Sequence, residues 1–189
     1  LLSLERRKRP TLAHTCKYLH RITLKHDKLQ SKQVVSEGDI TTVATLAKQI
    51  WTQHYVPIIG RSQVDYMLAK FQDETAIAAQ IEKGYSYTLW HNPEPIGYLC
   101  LLHQNDGLFI SKIYLLLDER GKGYGKKMMT YAIAEAKVNK HKYIRLTVNK
   151  YNDKSIGAYE KLGFIKKREV VFDIGKGYSM DDFEMELAI

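Results

Sequence analysis

The chain has 189 residues, 44% of them hydrophobic, with four prolines and only two cysteines, which suits one globular domain and excludes a disulfide scaffold or a metal cage. No apolar stretch is long enough to cross a bilayer, so a soluble, cytoplasmic protein without a membrane partner is expected. The net charge of +8 is unevenly placed, because residues 1–33 hold nine Lys/Arg against two acids, Glu5 and Asp27, while residues 34–189 are nearly balanced.

The sequence therefore divides into a basic N-terminal extension, 1–33, and a domain, 34–189. The cluster Arg6-Arg7-Lys8-Arg9 reads as a solvated tail, or as a contact for nucleic acid, an acidic lipid surface or an acidic partner. Basic, acid-poor composition is also that of a transit peptide. The near-neutral domain is not expected to bind nucleic acid. Val34 and Val35 suggest a first strand. Asp39 then reads as the cap of a helix carrying Ile40, Val43, Ala47, Ile50 and Trp51 at helical spacing, ended by Pro57. Ser62 or Gln63 opens a second helix with Val64, Met67, Leu68 and Phe71 on one face. A third runs from Glu74 to Lys83 and stops at Gly84.

Strands follow at Tyr85–Trp90, Ile96–His103 and Leu108–Leu117, separated by turns at 91–95 and 105–107. Cys100, in the second of these, reads as a small buried hydrophobe. A helix over Lys127–Lys140 carries Met128, Met129, Ala132, Ile133 and Ala136. A strand at Tyr143–Val148 leads to a short helix closed by Gly163. A final strand pair, Ile165–Ile174 and Phe183–Ile189, is joined through Gly175-Lys176-Gly177.

Between the third of the antiparallel strands and the long helix lies Asp118-Glu119-Arg120-Gly121-Lys122-Gly123-Tyr124-Gly125-Lys126-Lys127. Alternate glycines let a main chain approach closely, and a helix N-terminus favours an anion, so a pyrophosphate is the natural ligand. The dinucleotide fingerprint is excluded because its last glycine position is Lys126, and a P-loop is excluded because no Gly-Lys-Ser/Thr ending exists. Alone, the loop also fits a flexible strand-to-helix turn. A second motif follows: Leu146-Thr147-Val148-Asn149, then Asn152-Asp153, then a helix carrying Ala158-Tyr159 and ending Leu162-Gly163-Phe164.

These two motifs, Arg120-x-x-Gly123-x-Gly125 and the Asn/Ala-Tyr/Leu-Gly-Phe segment, resemble those of the GNAT superfamily of N-acetyltransferases over residues 34–189. The resemblance implies an α/β fold of the α+β kind, a mixed and mostly antiparallel sheet flanked by helices. It implies acetyl-coenzyme A as co-substrate, an acyltransferase activity, and relatives that often form homodimers. Ile113, Tyr114 and Leu115 would pair their backbone with the pantetheine arm, and an N–H near Leu115 would polarise the thioester. Arg120, Gly121, Lys122, Gly123, Tyr124, Gly125 and Lys126 would cradle the pyrophosphate. Lys126 and Lys127 would assist, or form a solvated face. Asn152 would contact the cofactor, cap its helix, or both, and Asn149 reads as a polar strand end. Tyr159 would be the catalytic acid, a phenol protonating the departing thiolate.

An acceptor amine with a pKa of about 10 is neutral only about once in a thousand at pH 7, a deficit of about 4 kcal/mol, so a proton path is required. Some relatives place a Glu where this chain has Ser111 and Lys112. The candidates here are a water chain, His103, Glu82, Asp181 and Asp182. Trp51, Tyr55, Asp65, Tyr66, Met67 and Leu68 fall on the early helices. With the late Met-Asp-Asp-Phe they look like proteins near the bacterial spermine/spermidine acetyltransferases, so a polyamine or other small amine is the leading acceptor. Trp51 and Met67 also fit core positions. A protein N-terminus or lysine is the alternative acceptor, and a non-catalytic acetyl-coenzyme A-binding regulatory module is the reading from another class.

Overall fold

The computed structural model of the chain describes residues 29–189; the cluster Arg6–Arg9, Cys16 and most of the basic extension lie outside the described residues. The first element is a strand, β1 (Gln30–Gln33), and not the pair Val34 and Val35. β1 is polar because it is a sheet edge with mostly exposed side chains, whereas Val34 is buried and its N–H donates to the Tyr87 carbonyl at 3.0 Å. The sheet thus begins inside what composition assigns to the extension.

Helix α1 (Glu37–Ile59) starts on a capping box: the Ser36 hydroxyl accepts from the Asp39 N–H, and the Asp39 carboxylate accepts from the Ser36 N–H, both at 3.2 Å. Asp39 is therefore the third helical residue rather than the cap. Pro57 does not end α1. It sits in the last turn, where its missing N–H forfeits one backbone bond, and the helix stops at Gly60 with φ +83°. Helix α2 (Arg61–Phe71) opens directly after Gly60, one residue ahead of the expected Ser62. Helix α3 (Glu74–Glu82) is capped by Asp73, whose carboxylate accepts from the Ala76 N–H at 2.7 Å.

Strands β2 (Ser86–His91), β3 (Pro95–His103) and β4 (Leu108–Leu115) form an antiparallel meander. A single 3₁₀ turn, Leu117–Glu119, leads to helix α4 (Tyr124–Val138). That helix begins three residues before the expected Lys127, directly after Gly123. Then come β5 (Tyr143–Asn149), α5 (Asp153–Lys161), β6 (Ile165–Gly175) and β7 (Tyr178–Ala188). The described residues form a seven-stranded sheet in the order β1-β2-β3-β4-β5-β7-β6, the expected mixed and mostly antiparallel sheet flanked by helices. The β6–β7 hairpin turns on Lys176 and Gly177, both at positive φ (54° and 77°), which matches the twist of its strands. β7 starts at Tyr178 rather than Phe183: β6 and β5 pair with it on either side, so ladder bonds hold polar residues such as Asp181 and Asp182 in the strand.

Two apolar layers sandwich the sheet. α1 and α3 bury Val43, Ala47, Ile50 and Ile77 against Tyr87, Leu89 and Tyr98 on one face. α4 buries Met128, Met129, Ala132 and Ala136 against Leu99, Leu101, Ile144 and Leu146 on the other. Truncating any one of the large members to Ala would cost about 2–5 kcal/mol.

Two irregularities create the site. Cys100 opposes Lys112 while Leu101 opposes Ile110, so Ser111 is an extra residue that bulges β4. β4 and β5 pair in parallel only where Leu108–Ile110 meets Ile144–Leu146. Beyond those three pairs the strands part, leaving the edge of β4 from Ser111 to Leu115 with no strand beside it among the described residues.

Candidate functional site

The parted strands open into a cavity of about 1290 Å³. Ile113, Tyr114 and Leu115 line it from β4, Arg120, Gly121, Gly125 and Lys126 from the loop and the start of α4, and Asn152 and Tyr159 from α5. The two sequence motifs therefore meet at one site. Lys122, Gly123 and Tyr124 do not line it. Lys122 pairs with Glu119 at 3.1 Å, and the Tyr124 hydroxyl accepts from the Asn92 amide at 2.6 Å on the other side of the loop.

Gly121 and Gly123 take φ of +78° and +83°, a region costly for other residues, and a Cβ on either would meet nothing within 4 Å. Conformation is what these glycines supply. Gly123 is the cap of α4 and has no side chain to bond the first-turn N–H groups, so the cap itself leaves donors for an anion. Arg120 is more structural than expected. Its Nε donates to the Leu115 carbonyl and a terminal nitrogen meets His54 Nδ1, both at 3.1 Å, fastening the end of β4 to α1.

Gly97 was not singled out by the sequence reading, although a glycine inside a strand is the available signal. A Cβ there would stand 2.2 Å from the Tyr114 carbonyl oxygen and 2.8 Å from Leu115 Cδ2. The segment of β4 that lines the cavity lies flush on β3 only because residue 97 has no side chain.

Tyr159 is half-buried with its ring 5.7 Å from Phe164. Burial raises its pKa well above the ordinary value, so the phenol stays protonated. Asn152 is buried and makes no side-chain cap bond to its helix. Its amide instead reaches His54 and Tyr55. Asn149 ends β5 and folds onto the chain beyond it, its Oδ1 accepting from the Tyr151 N–H at 3.1 Å.

The early helices contribute an aromatic wall. Trp51 and Tyr55 stand 4.7 Å apart, and Tyr114 lies 5.7 Å from the Trp51 ring. Tyr55 is half-buried in contact with Tyr114, and its removal from solvent raises its pKa. Met67 also lines the cavity. Asp65 does not; it pairs with Arg61 at 2.8 Å on the surface, and the Tyr66 hydroxyl donates to the Ile174 carbonyl.

Among the candidate bases the structure separates one. His103 meets His141 at 2.9 Å in an exposed stacked pair, and neither it nor Glu82 lines the cavity. Asp181 pairs with Lys150 at 2.6 Å. Asp182 is only 6% exposed, faces the cavity and, among the described residues, is the one Asp or Glu lining it. Burial pushes its pKa up to about 6, against a hydrogen bond from Thr147 that holds it down.

The model of the Acetyltransferase (GNAT) family matches residues 47–164. The peptidyl-lysine N-acetyltransferase YjaB of Salmonella typhimurium is 34% identical over 89 residues, 46% of this chain and 54% of that protein, so the chain spans about half the length of this curated relative. PaiA N-acetyltransferase from Thermoplasma acidophilum, solved with coenzyme A, superposes with a TM-score of 0.72 at 18% identity over 85% of this chain and 99% of its own. YncA of Salmonella typhimurium, a putative acetyltransferase solved with acetyl-coenzyme A, has a TM-score of 0.58 at 18% identity, over 86% and 94% of the two chains. Those two likenesses establish the fold. Among the described residues, no helix is long and apolar enough to cross a membrane. The family match covers more than half of the chain and includes both motifs, and the chain belongs to the GNAT acetyltransferase family, whose acyl donor is acetyl-coenzyme A.

Proposed function

We propose that this protein transfers the acetyl group of acetyl-coenzyme A to a primary amine by direct attack in the cavity between β4 and β5. The observation that carries the reading is the parting of those strands beneath both motifs, with a protonated phenol and a buried carboxylate on the same cavity. The unpaired edge of Ser111–Leu115 suits the amides of an extended pantetheine arm, which would add as a strand. Gly121, Gly123 and Gly125 shape the loop for the pyrophosphate, with Lys126 lining the cavity beside them. Arg120 holds the loop to β4 and α1, and Lys122 and Tyr124 support it from outside the cavity.

In the reaction, the amine nitrogen bonds to the carbonyl carbon and the carbon–sulfur bond breaks. The amine's proton passes to Asp182, and the thiolate takes its proton from the Tyr159 hydroxyl, which is then reprotonated from solvent. Asp182 is ionised above about pH 6 and so is ready to accept at neutral pH. A binding module without turnover has no use for this acid and base pair.

The acceptor reading shifts away from a polyamine. Asp65, the acid that suited a polycation, pairs with Arg61 outside the cavity. The curated relative bears a peptidyl-lysine name, which favours a lysine side chain. Free-thiol release from acetyl-coenzyme A tests this with lysine peptides, spermidine and simple amines. Saturable release with a peptide and little with spermidine is expected. Tight cofactor binding with no release from any amine would overturn the enzyme reading in favour of a regulatory module.

A further inference from the structure

The part of the cavity away from the glycine loop is walled by α2, α3 and the bulged segment of β4, and it is cationic. Lys70, Lys83 and Lys112 line it, with no acid on that wall among the described residues. Lys112, beside the bulge, is 7% exposed. Its ammonium donates to Gln80 Oε1 at 2.6 Å and to Ser111 Oγ at 3.2 Å. It also lies 5.7 Å and 5.2 Å from the ring centroids of Tyr85 and Tyr87. All of these partners are neutral. Gln80 is itself fixed, because its Oε1 also accepts from the Tyr87 hydroxyl at 2.8 Å and its Nε2 donates to the Phe71 carbonyl at 3.0 Å.

A buried ammonium without a counter-charge is expensive; an apolar side chain would fill the same space at lower cost. Oriented polar groups and aromatic faces reduce that cost, and a ligand bringing the missing negative charge would remove more of it. A polycation entering the same space would meet like charge on three lysines.

We propose that Lys112, positioned by Gln80 and supported by Lys83, forms a carboxylate-binding subsite that selects amine acceptors carrying an acidic group. This deepens the acetyltransferase reading and rests on it. The carboxylate belongs either to a small amino acid-like molecule or to an acidic residue beside a lysine in a peptide.

The test compares kcat/KM from thiol release for two matched pairs: aminohexanoate against hexylamine, and a lysine peptide flanked by Glu against the same peptide flanked by Gln. The wild type should favour the acidic member of at least one pair by about tenfold, the worth of one charge-assisted hydrogen bond. The pair that shows the preference identifies the source of the carboxylate. Lys112→Met should bring that ratio close to unity, with coenzyme A affinity by calorimetry reporting that the fold is intact. Lys83→Gln, at an exposed position that does not endanger folding, should lower the ratio about twofold to threefold. A wild-type ratio near one in both pairs, or a ratio unchanged in Lys112→Met, overturns the subsite. If no amine gives thiol release, calorimetric binding of aminohexanoate against hexylamine to the coenzyme A complex decides the subsite by the same ratio. The missing turnover then counts against the acetyltransferase reading alone.

Discussion

The two halves of the cavity are built by different means. The cofactor half is backbone: a strand edge left unpaired by the parting of β4 and β5, two glycines at positive φ, and an uncapped helix start. The acceptor half is side chains from distant segments: Trp51 and Tyr55 on α1, Gln80 on α3 and Lys83 at its C-terminal cap, Lys112 beside the bulge, Asp182 on β7. A backbone site is specified by local sequence and tolerates variation in the side chains between its glycines. A side-chain site can change its ligand through single substitutions without disturbing the frame.

That contrast predicts separable failures. The largest effect is expected at Tyr159, which stands between the halves. Tyr159→Phe keeps the ring and its contact with Phe164, so coenzyme A affinity should stay within about threefold while kcat falls about a hundredfold or more. Unchanged kcat would remove Tyr159 from the mechanism.

The next effect sharpens the acceptor half. Asp182→Asn keeps the size and the bond to Thr147 but cannot accept a proton. A fall in kcat/KM of about a hundredfold is expected, without loss of cofactor affinity. The sign with pH is specific: wild-type kcat/KM should decline as pH falls through about 6, where Asp182 becomes protonated. The residual activity of Asp182→Asn should lack that step. A step that persists in the variant would assign it to another group. Tyr55 from α1, Thr147 from β5, and Lys150 and Asp181 are the groups acting on this carboxyl, and the raised phenol of Tyr55 does not titrate in that range.

The cofactor half should fail in binding instead. Gly123→Val forces a β-branched residue to φ +83°, a strain of about 1–2 kcal/mol or more, which should weaken coenzyme A about tenfold. Gly97→Ala reaches the same end from another strand, by driving a methyl into the Tyr114 carbonyl and lifting the unpaired edge. Calorimetry should show both variants weakened for coenzyme A, and unaltered affinity in both would detach the backbone site from the cofactor.

The same contrast explains what could be read from the sequence. The glycine loop and the Ala-Tyr/Leu-Gly-Phe helix are contiguous, and local chemistry dictates their form, so their positions were legible. Asp182 was one of several acids until β7 extended back to Tyr178 and paired with both β5 and β6. No local pattern announces a strand through Ser179-Met-Asp-Asp, because its ladder partners lie elsewhere in the chain. Lys112 read as a missing Glu, and its setting among Gln80, Tyr85 and Tyr87 depends on a bulge visible only in the register of β3 on β4. Asp39 shows the reverse limit: the residue was noticed, but the capping box assigns the cap to Ser36.

The smallest predicted effect falls on that box, which lies at the far end of the helix that carries Trp51 and Tyr55. Ser36→Ala removes one cap bond and should cost about 1 kcal/mol in urea unfolding, with coenzyme A affinity unchanged. Asp39 adds a pH signature. The Lys32 ammonium, with the Val35 and Ser36 N–H groups, holds its pKa down to about 2 from the ordinary 3.8. A depressed carboxyl contributes stability that is fully present above the unfolded value and is lost as pH falls through the folded one. The stability difference between wild type and Asp39→Asn should therefore be constant above about pH 5 and shrink between pH 4 and 2. Lys32 is half exposed, so solvent screening limits the ion pair's share to about 1 kcal/mol. A difference that does not change across this range would mean that neither Lys32 nor the helix N–H groups depress the Asp39 carboxyl in the folded state. The acceptor wall would then owe nothing to the charge that ties β1 to α1.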